Sequence, residues 1–297
     1  MKPPVFKYLD PRSLDEALAI LADHGDEVSV LAGGQSLVPL LNMRLARPEI
    51  LLDINKVAGL DSLRVTQAGV AAGAMVRARA LEHDHQVRGS LPVLATAVGH
   101  VGHPQIRART TVGGNLAHAD PSSELPGVLA LLDGEVVLTS AARGSRTVGW
   151  DDFFVSVFTT AREGDELVTE VRFPAPAGWR LSFAEFAPRH GDFPIVALAL
   201  GTCVRDGRVA GMRIATTGVS DRVRRLTRTE DLAACASPGP DLVAEVVGSA
   251  RSEVDPTGDR SGSPEYRRHV LGVLLERCLA DHLAVTSDGA RRARQGV

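Results

Sequence analysis

Residues 110–121 read TTVGGNLAHADP. A Thr-Thr-Val run leads into two glycines and an asparagine, and a histidine, an aspartate and a proline follow. Three readings are open for it: the turn of a hairpin, a metal site, or a loop that cradles phosphate. A second stretch of the same kind, LAGGQS at 31–36, raises the same question. Each glycine pair follows a β-rich run. Without a Cβ, paired glycines let the backbone turn sharply and come close to a ligand. Their N–H groups can then form a concave anion site, whether or not a helix follows to add its dipole. Gln35, Ser36, Thr111 and Asn115 add neutral hydrogen-bonding groups suited to phosphate and polyol oxygens. Neither stretch matches GxGxxG or GxxxxGK[ST], so the common nucleotide-loop fingerprints fail on spacing. His100, His103 and His118 surround the second stretch, but no HxxxH or HExxH spacing accompanies them, and no metal site is expected. A serine hydrolase is excluded in the same way, because no GxSxG elbow occurs.

Length and composition bound the rest. A chain of 297 residues reads as two domains. A 44% hydrophobic content is enough to bury a sizeable core and excludes a disordered chain. The 33 Lys+Arg and 36 Asp+Glu leave a net charge of −3, which gives no strong basic field for nucleic acid. The basic ending ARRARQGV reads as a solvated tail rather than a binding arm. The first residues, MKPPVFKYLD, carry no apolar signal segment, and no run approaches the roughly 18 apolar residues of a membrane span. The expectation is a cytoplasmic protein without a membrane span. Cys203, Cys235 and Cys278 are scattered and odd in number, against a disulfide framework or a thiolate-held metal. They read as small buried hydrophobes.

Along the chain, SLDEALAILADHG (13–25) predicts a helix capped by Ser13 with Glu16 completing a capping box. EVSVLAGG, EILLDIN and GVAAGAMV read as strands, and LPVLATAVGHVG as a helix that Pro104 helps to stop. GEVVLTSAARGSRTVGWDDFFV suggests a hairpin leading to a short helical turn, and ELVTEVRFPAP a strand ending at prolines. FPAPAGW (173–179) marks the domain boundary. Beyond it, Asp206–Gly207 is the best hairpin signal, and a polar loop at 252–265 precedes a final helix. The class is α+β, with domains at 1–177 and 178–285 and a flexible tail at 286–297.

Taken together, the two glycine stretches resemble a known family. LAGGQSLVPLLNMRLARPEILLDIN and VGHPQIRARTTVGGNLAHADPSSELPGVLALLDGEV are similar to the two FAD-binding signatures of the medium, flavin-carrying subunit of molybdenum hydroxylases. That family includes aerobic carbon monoxide dehydrogenase, xanthine dehydrogenase and relatives acting on N-heterocycles and aldehydes. The resemblance runs over nearly the whole chain. RHGDFPIVALAL is similar to the family's R-x-G-D-aromatic stretch and SPEYRRHVLGVLLERCL to its closing helix. It implies a two-lobed α+β FAD domain of the PCMH type, followed by a smaller α+β domain of the carbon monoxide dehydrogenase flavoprotein C-terminal type.

Carried over residue by residue, Ala32, Gly33, Gly34, Gln35, Ser36 and Leu37 match the first FAD loop. Ile106, Thr110, Thr111, Gly113, Gly114, Asn115 and Ala117 match the second. The resemblance implies that their backbone N–H groups take the pyrophosphate while Thr111 and Asn115 offer side-chain bonds. Ser123 and Glu124 fall where the family keeps a small polar residue and an acid on the cofactor. Leu167 matches a position packed on the flavin edge, and Phe193 an aromatic beside the isoalloxazine. Asp120 stands close by, with a turn-capping role open to it as well.

Two departures stand out. Relatives often place Lys where Glu185 stands, so a carboxylate replaces a positive charge and is expected to lower the flavin potential. Carbon monoxide dehydrogenases read GGHS where this chain has GGQS, which leans away from carbon monoxide as substrate.

The function implied is an electron-transfer subunit with no acid–base chemistry of its own. Substrate is oxidised at molybdopterin on a large subunit, electrons cross [2Fe-2S] clusters on a small subunit, and this chain's FAD delivers them to an external acceptor. A dimer of heterotrimers is implied. Three scattered cysteines cannot ligate a four-thiolate cluster, so any iron–sulfur centre lies in a partner. The alternatives are a stand-alone flavoprotein oxidase of the vanillyl-alcohol-oxidase type, for which the second domain is too short, and a scaffold subunit that has lost FAD.

Overall fold

The computed structural model describes residues 2–294, with side chains described as far as Leu283. Contacts group the chain into two units, Met1–Asp120 with Asp133–Ala175, and Pro121–Leu132 with Pro176–Val297.

The first unit opens with strand β1 (Lys7–Leu9) and helix α1 (Leu14–His24). The capping box predicted for this helix is present: Ser13 Oγ accepts from Glu16 N at 3.2 Å, and Glu16 Oε2 accepts from Ser13 N at 3.3 Å. It satisfies N–H groups that have no acceptor within the helix. Strand β2 (Val28–Leu31), helix α2 (Leu37–Asn42) and strand β3 (Ile50–Asp53) follow. The three strands form a parallel sheet in the order β1-β3-β2. Parallel pairing requires a crossover between strands, and α1 and α2 lie in the two connections. Ala17, Leu18 and Leu21 of α1 share a core cluster with Leu52, Ile54, Leu60, Met75 and Leu167, on which Val30 and Ala32 pack.

Strands β4 (Leu63–Thr66) and β5 (Gly69–Gly73) lead into five helices, α3 (Ala78–His83), α4 (His85–Ser90), α5 (Pro92–His100), α6 (Pro104–Arg107) and α7 (Val112–His118). Pro104 does not stop the predicted helix, which ends at His100; it opens α6. Its fixed φ and missing N–H suit a first helical turn. Helix α8 (Glu124–Leu131) groups with the second unit. The first unit then resumes with β6 (Glu135–Ser140), β7 (Gly144–Gly149), α9 (Trp150–Phe153), β8 (Phe154–Ser156), β9 (Thr159–Thr160) and β10 (Glu166–Pro174). An antiparallel sheet in the order β4-β5-β10-β6-β7 results.

In the second unit, β11 (Arg180–Phe186), β12 (Val196–Arg205), β13 (Arg208–Thr217) and β14 (Arg224–Arg225) form one antiparallel sheet in chain order. Asp206 at φ 51° and Gly207 at φ 72° close the β12–β13 hairpin. Positive φ at both turn residues matches the right-handed twist of the flanking strands, as the Asp-Gly pair predicts. Helices α10 (Thr227–Leu232), α11 (Pro240–Glu253) and α12 (Pro264–Arg294) complete the unit. Leu198, Leu200 and Ile214 of the sheet share a core with Val246, Leu271, Leu275 and Leu279 of the helices. Helix α8, buried along its whole length, packs on β12 and β13. The tail expected at 286–297 falls at the edge of the described residues: α12 runs to Arg294, and 295–297 lie outside them. Among the described residues no helix is long and apolar enough to cross a membrane.

Candidate cofactor-binding site

The first glycine stretch leaves β2 at Leu31 and enters α2 at Leu37. Gly34 turns the chain at φ 76°, a conformation that costs an L-residue with a Cβ about 1–2 kcal/mol. Gly33 is buried for a different reason. A Cβ there would overlap the carbonyl oxygen of Arg109 and lie 3.1 Å from Thr110 Cα. The first stretch is therefore pressed directly onto the main chain that leads into the second. Ser36 occupies the cap of α2 without a side-chain capping bond. The first N–H groups of a helix have no intrahelical acceptor. In α2, however, Val38 N donates to Gly34 O at 3.1 Å and Pro39 has no N–H, so this end keeps few donors for an anion.

The second stretch is neither a hairpin turn nor an open loop. Thr111 caps helix α7, its Oγ1 accepting from Gly114 N at 3.1 Å, and both glycines lie inside the first turn. Glycine weakens a helix by close to 1 kcal/mol relative to alanine, and here packing explains its use. A Cβ on Gly113 would stand 2.5 Å from Ala74 Cβ. One on Gly114 would stand 2.6 Å from Thr111 Oγ1 and 3.2 Å from Ala32 Cβ. The glycines let α7 settle against the end of β5 on one side and the first glycine stretch on the other. The two sequence motifs meet in one place because neither carries side chains where they touch.

The remaining residues singled out from sequence divide between the units. In the first, Gly34, Gln35, Ser36, Leu37, Gly114, Asn115 and Ala117 are half-buried, whereas Gly33, Thr110, Thr111 and Gly113 are buried. Ile106 is exposed, its side chain packed beneath the positive-φ turn at Gly102. Leu167 is 3% exposed within the core cluster that Ala32 covers. In the second unit, Ser123 and Glu124 are buried at the start of α8, Glu185 is half-buried on β11, and Phe193 is 66% exposed between β11 and β12. His118, at the end of α7, stacks on Phe158 with ring centroids 4.9 Å apart. Burial holds its pKa below the ordinary histidine value, against the opposing pull of Asp120. Among the described residues no group of three or more His, Cys, Asp or Glu could hold a metal ion.

Sequence reasoning missed two residues here. Asn55 Nδ2 donates to Ala32 O at 2.8 Å, in the first stretch, and Arg77 NH1 donates to Arg109 O at 2.6 Å, at the entrance to the second. Arg77 NH2 donates to Asn55 Oδ1 at 2.6 Å and links the two. The only local signal was the Asp53–Asn55 turn that ends β3, in which Asp53 Oδ1 accepts from Asn55 N at 2.9 Å.

The donor chemistry fits a flavin dinucleotide. The first N–H groups of α7 are already taken: Val112 N donates to Val76 O, Gly113 N to Ala74 O, Gly114 N to Thr111 Oγ1 and Asn115 N to Thr111 O. The half-buried face carries the start of α2, the amides of Gln35 and Asn115, and the Ser36 hydroxyl, with no acidic residue among them. Such a set suits a pyrophosphate and a hydroxylated chain and would repel neither.

Comparison with known proteins agrees with this geometry. A family model described as the FAD binding domain in molybdopterin dehydrogenase matches residues 4–176. A second, the CO dehydrogenase flavoprotein C-terminal domain, matches residues 182–282. The chain is 38% identical to caffeine dehydrogenase subunit beta of Pseudomonas sp. (strain CBB1), covering 94% of this chain and 95% of that one. It is 39% identical to the 6-hydroxypseudooxynicotine dehydrogenase complex subunit alpha of Paenarthrobacter nicotinovorans, covering 95% and 96%. A solved structure of carbon monoxide dehydrogenase from Hydrogenophaga pseudoflava superposes with a TM-score of 0.91 at 32% identity, over 96% of this chain and 99% of that one. The chain belongs to the molybdenum hydroxylase family, as one of its FAD-binding medium subunits.

Proposed function

We propose that this chain holds FAD between the two glycine stretches and passes electrons from a partner's iron–sulfur clusters to an external acceptor. The observation that carries the reading is the contact of Gly33 with the main chain at Arg109–Thr110, which brings the two motifs into one site. The start of α2 would face the pyrophosphate, whereas the first N–H groups of α7 are bonded within the protein and serve to fix that helix in place. Gln35, Ser36 and Asn115 would bond the sugar and polyol oxygens, with Leu37, Ile106 and Ala117 bordering them. Thr111 keeps its hydroxyl oxygen for Gly114 N and so fixes the helix start. Ser123, Glu124, Leu167 and Phe193 are proposed contacts on the evidence of family position alone. When bound, FAD supplies redox chemistry in one- or two-electron steps. The protein's own work is to bind, orient and shield it, and no residue here needs to move a proton.

The relatives' names cover caffeine, 6-hydroxypseudooxynicotine and carbon monoxide. One flavin subunit design thus serves different substrates, in keeping with substrate contacts on a large molybdopterin-binding subunit. The proposed assembly adds a small [2Fe-2S] subunit, doubles to a dimer of heterotrimers and works in the cytoplasm. Purification of the native complex tests it. Large and small partners should accompany this chain, with molybdenum and iron by metal analysis, and substrate should bleach the flavin absorbance. A flavin-loaded chain that purifies without either metal would sink the partner assignment and leave FAD binding standing.

A further inference from the structure

The two glycine stretches touch through bare backbone, and a contact of that kind has no side chains of its own to fix its spacing. The hydrogen bonds that do so come from outside the two glycine stretches themselves. Tyr8 on β1 donates its hydroxyl to Asp53 Oδ2 at 2.6 Å. Asp53 Oδ1 accepts from Asn55 Nδ2 at 2.6 Å, and the same amide nitrogen donates to Ala32 O at 2.8 Å. Asn55 Oδ1 accepts from Arg77 NH2 at 2.6 Å, while Arg77 NH1 reaches Arg109 O at 2.6 Å. Arg77 also forms an antiparallel bridge with Thr111, the cap of α7.

The chemistry of each member is specific. The Asn55 amide must both donate and accept, because it faces a carboxylate and a carbonyl on its nitrogen side and a guanidinium on its oxygen side. Aspartate cannot donate and leucine can do neither. Arg77 must present two donors in a fixed fork to two acceptors on different segments. Lysine has the charge without the fork. Arg77 is half-buried with Arg109 as a cationic neighbour, a pairing that a bound anion would relieve.

We propose that Asn55 and Arg77 form a clasp that sets the separation of the two glycine stretches, and through it the chain's preference for a dinucleotide that spans both. They are positioning residues. The inference rests on the reading of these stretches as the FAD site.

The test uses the full-length chain stripped of flavin, as wild type and as Asn55→Leu, Arg77→Gln and Arg77→Lys. Each is titrated with FAD and with FMN, which lacks the pyrophosphate and adenosine, by quenching of flavin fluorescence. The clasp predicts that all three variants lose at least tenfold in FAD affinity, about 1.4 kcal/mol. Their FMN affinity stays within twofold of wild type, and the flavin-free proteins melt within a few degrees of one another. Equal losses for FAD and FMN would show general damage and overturn the clasp. So would wild-type FAD affinity in Arg77→Lys, since charge alone would then suffice. Wild-type affinity in all three variants overturns the clasp while the FAD site stands. A wild-type chain that takes up no FAD overturns both.

Discussion

Replacing Gly33 with alanine adds one methyl group at the point where the two stretches meet. The new Cβ overlaps the Arg109 carbonyl oxygen and sits 3.0 Å from its carbon. Carbon–oxygen contacts settle near 3.3 Å or more, so the stretches must part by roughly an ångström. The obstacle is main chain, held in turn by Arg77 NH1 at 2.6 Å, and cannot swing aside like a side-chain tip. Overpacking costs about 1–3 kcal/mol in well-packed sites, and the rigid obstacle places Gly33→Ala in the upper half, about 2–3 kcal/mol. At about 2–4 °C per kcal/mol for a domain of this size, the melting temperature should fall by roughly 5–10 °C. Gly34→Ala is the control. Its cost comes from holding alanine at φ 76°, about 1–2 kcal/mol, and its nearest neighbours are side-chain ends, Leu31 Cδ1 and Val38 Cγ2, both at 3.2 Å. Urea unfolding of the flavin-free chain ranks the two, and FAD titration reads the site. Gly33→Ala should be the less stable and should bind FAD more than tenfold more weakly. Gly33→Ala with stability within 0.5 kcal/mol of wild type, a threshold taken from ordinary surface changes of about that size, would refute the close approach.

Further outcomes follow from the same structure. Gly114→Val brings a branched side chain against Thr111 Oγ1 and Ala32 and should abolish FAD uptake; equal FAD content in variant and wild type would count against this. His282, 3% exposed, has its Nδ1 3.0 Å from Thr202 Oγ1, and burial with the nearby Arg180 cation holds its pKa at about 4, below the ordinary 6.5. The unfolded chain takes up this proton first, so the stabilisation is complete above pH 6.5 and is lost as pH falls toward 4. At about 1.4 kcal/mol per unit the loss reaches about 3 kcal/mol. Unfolding free energies of wild type and His282→Gln should therefore converge as pH falls from 7 to 4.5, and parallel curves would contradict the assignment. Ser13→Ala removes one half of the α1 capping box and should cost about 1 kcal/mol by urea unfolding. Glu185→Lys restores the charge that relatives often carry and should raise the flavin potential in a redox titration; an unmoved potential would place the carboxylate out of reach of the ring.

Local chemistry was legible in the sequence wherever neighbours in the chain decide the structure. Ser13 with Glu16, and Asp206 with Gly207, carry their hydrogen bonds or backbone angles within a few residues, and both elements form as read. Helix α7 was hidden because two glycines argue against a helix on propensity. They are tolerated because Gly113 lies on Ala74 and Gly114 on Ala32, contacts that no local window contains. The same distance in sequence hid the roles of Asn55 and Arg77. Each is an ordinary polar residue until the fold brings the carbonyls of Ala32 and Arg109 within reach. The glycine stretches themselves were recognisable as a pair only through family resemblance. What the sequence could not supply was the reason for the glycines, which is the close approach of two backbones.

The central claim is that the two stretches form one FAD clamp on this chain. Its most direct measurement is the flavin content of the purified full-length chain before and after acid precipitation. The account predicts one FAD per chain, released intact into the supernatant, and none bound once Gly33→Ala and Gly114→Val are combined. Flavin that stays on the precipitated polypeptide would favour a covalent oxidase instead. A colourless chain that takes up no added FAD would contradict the account outright.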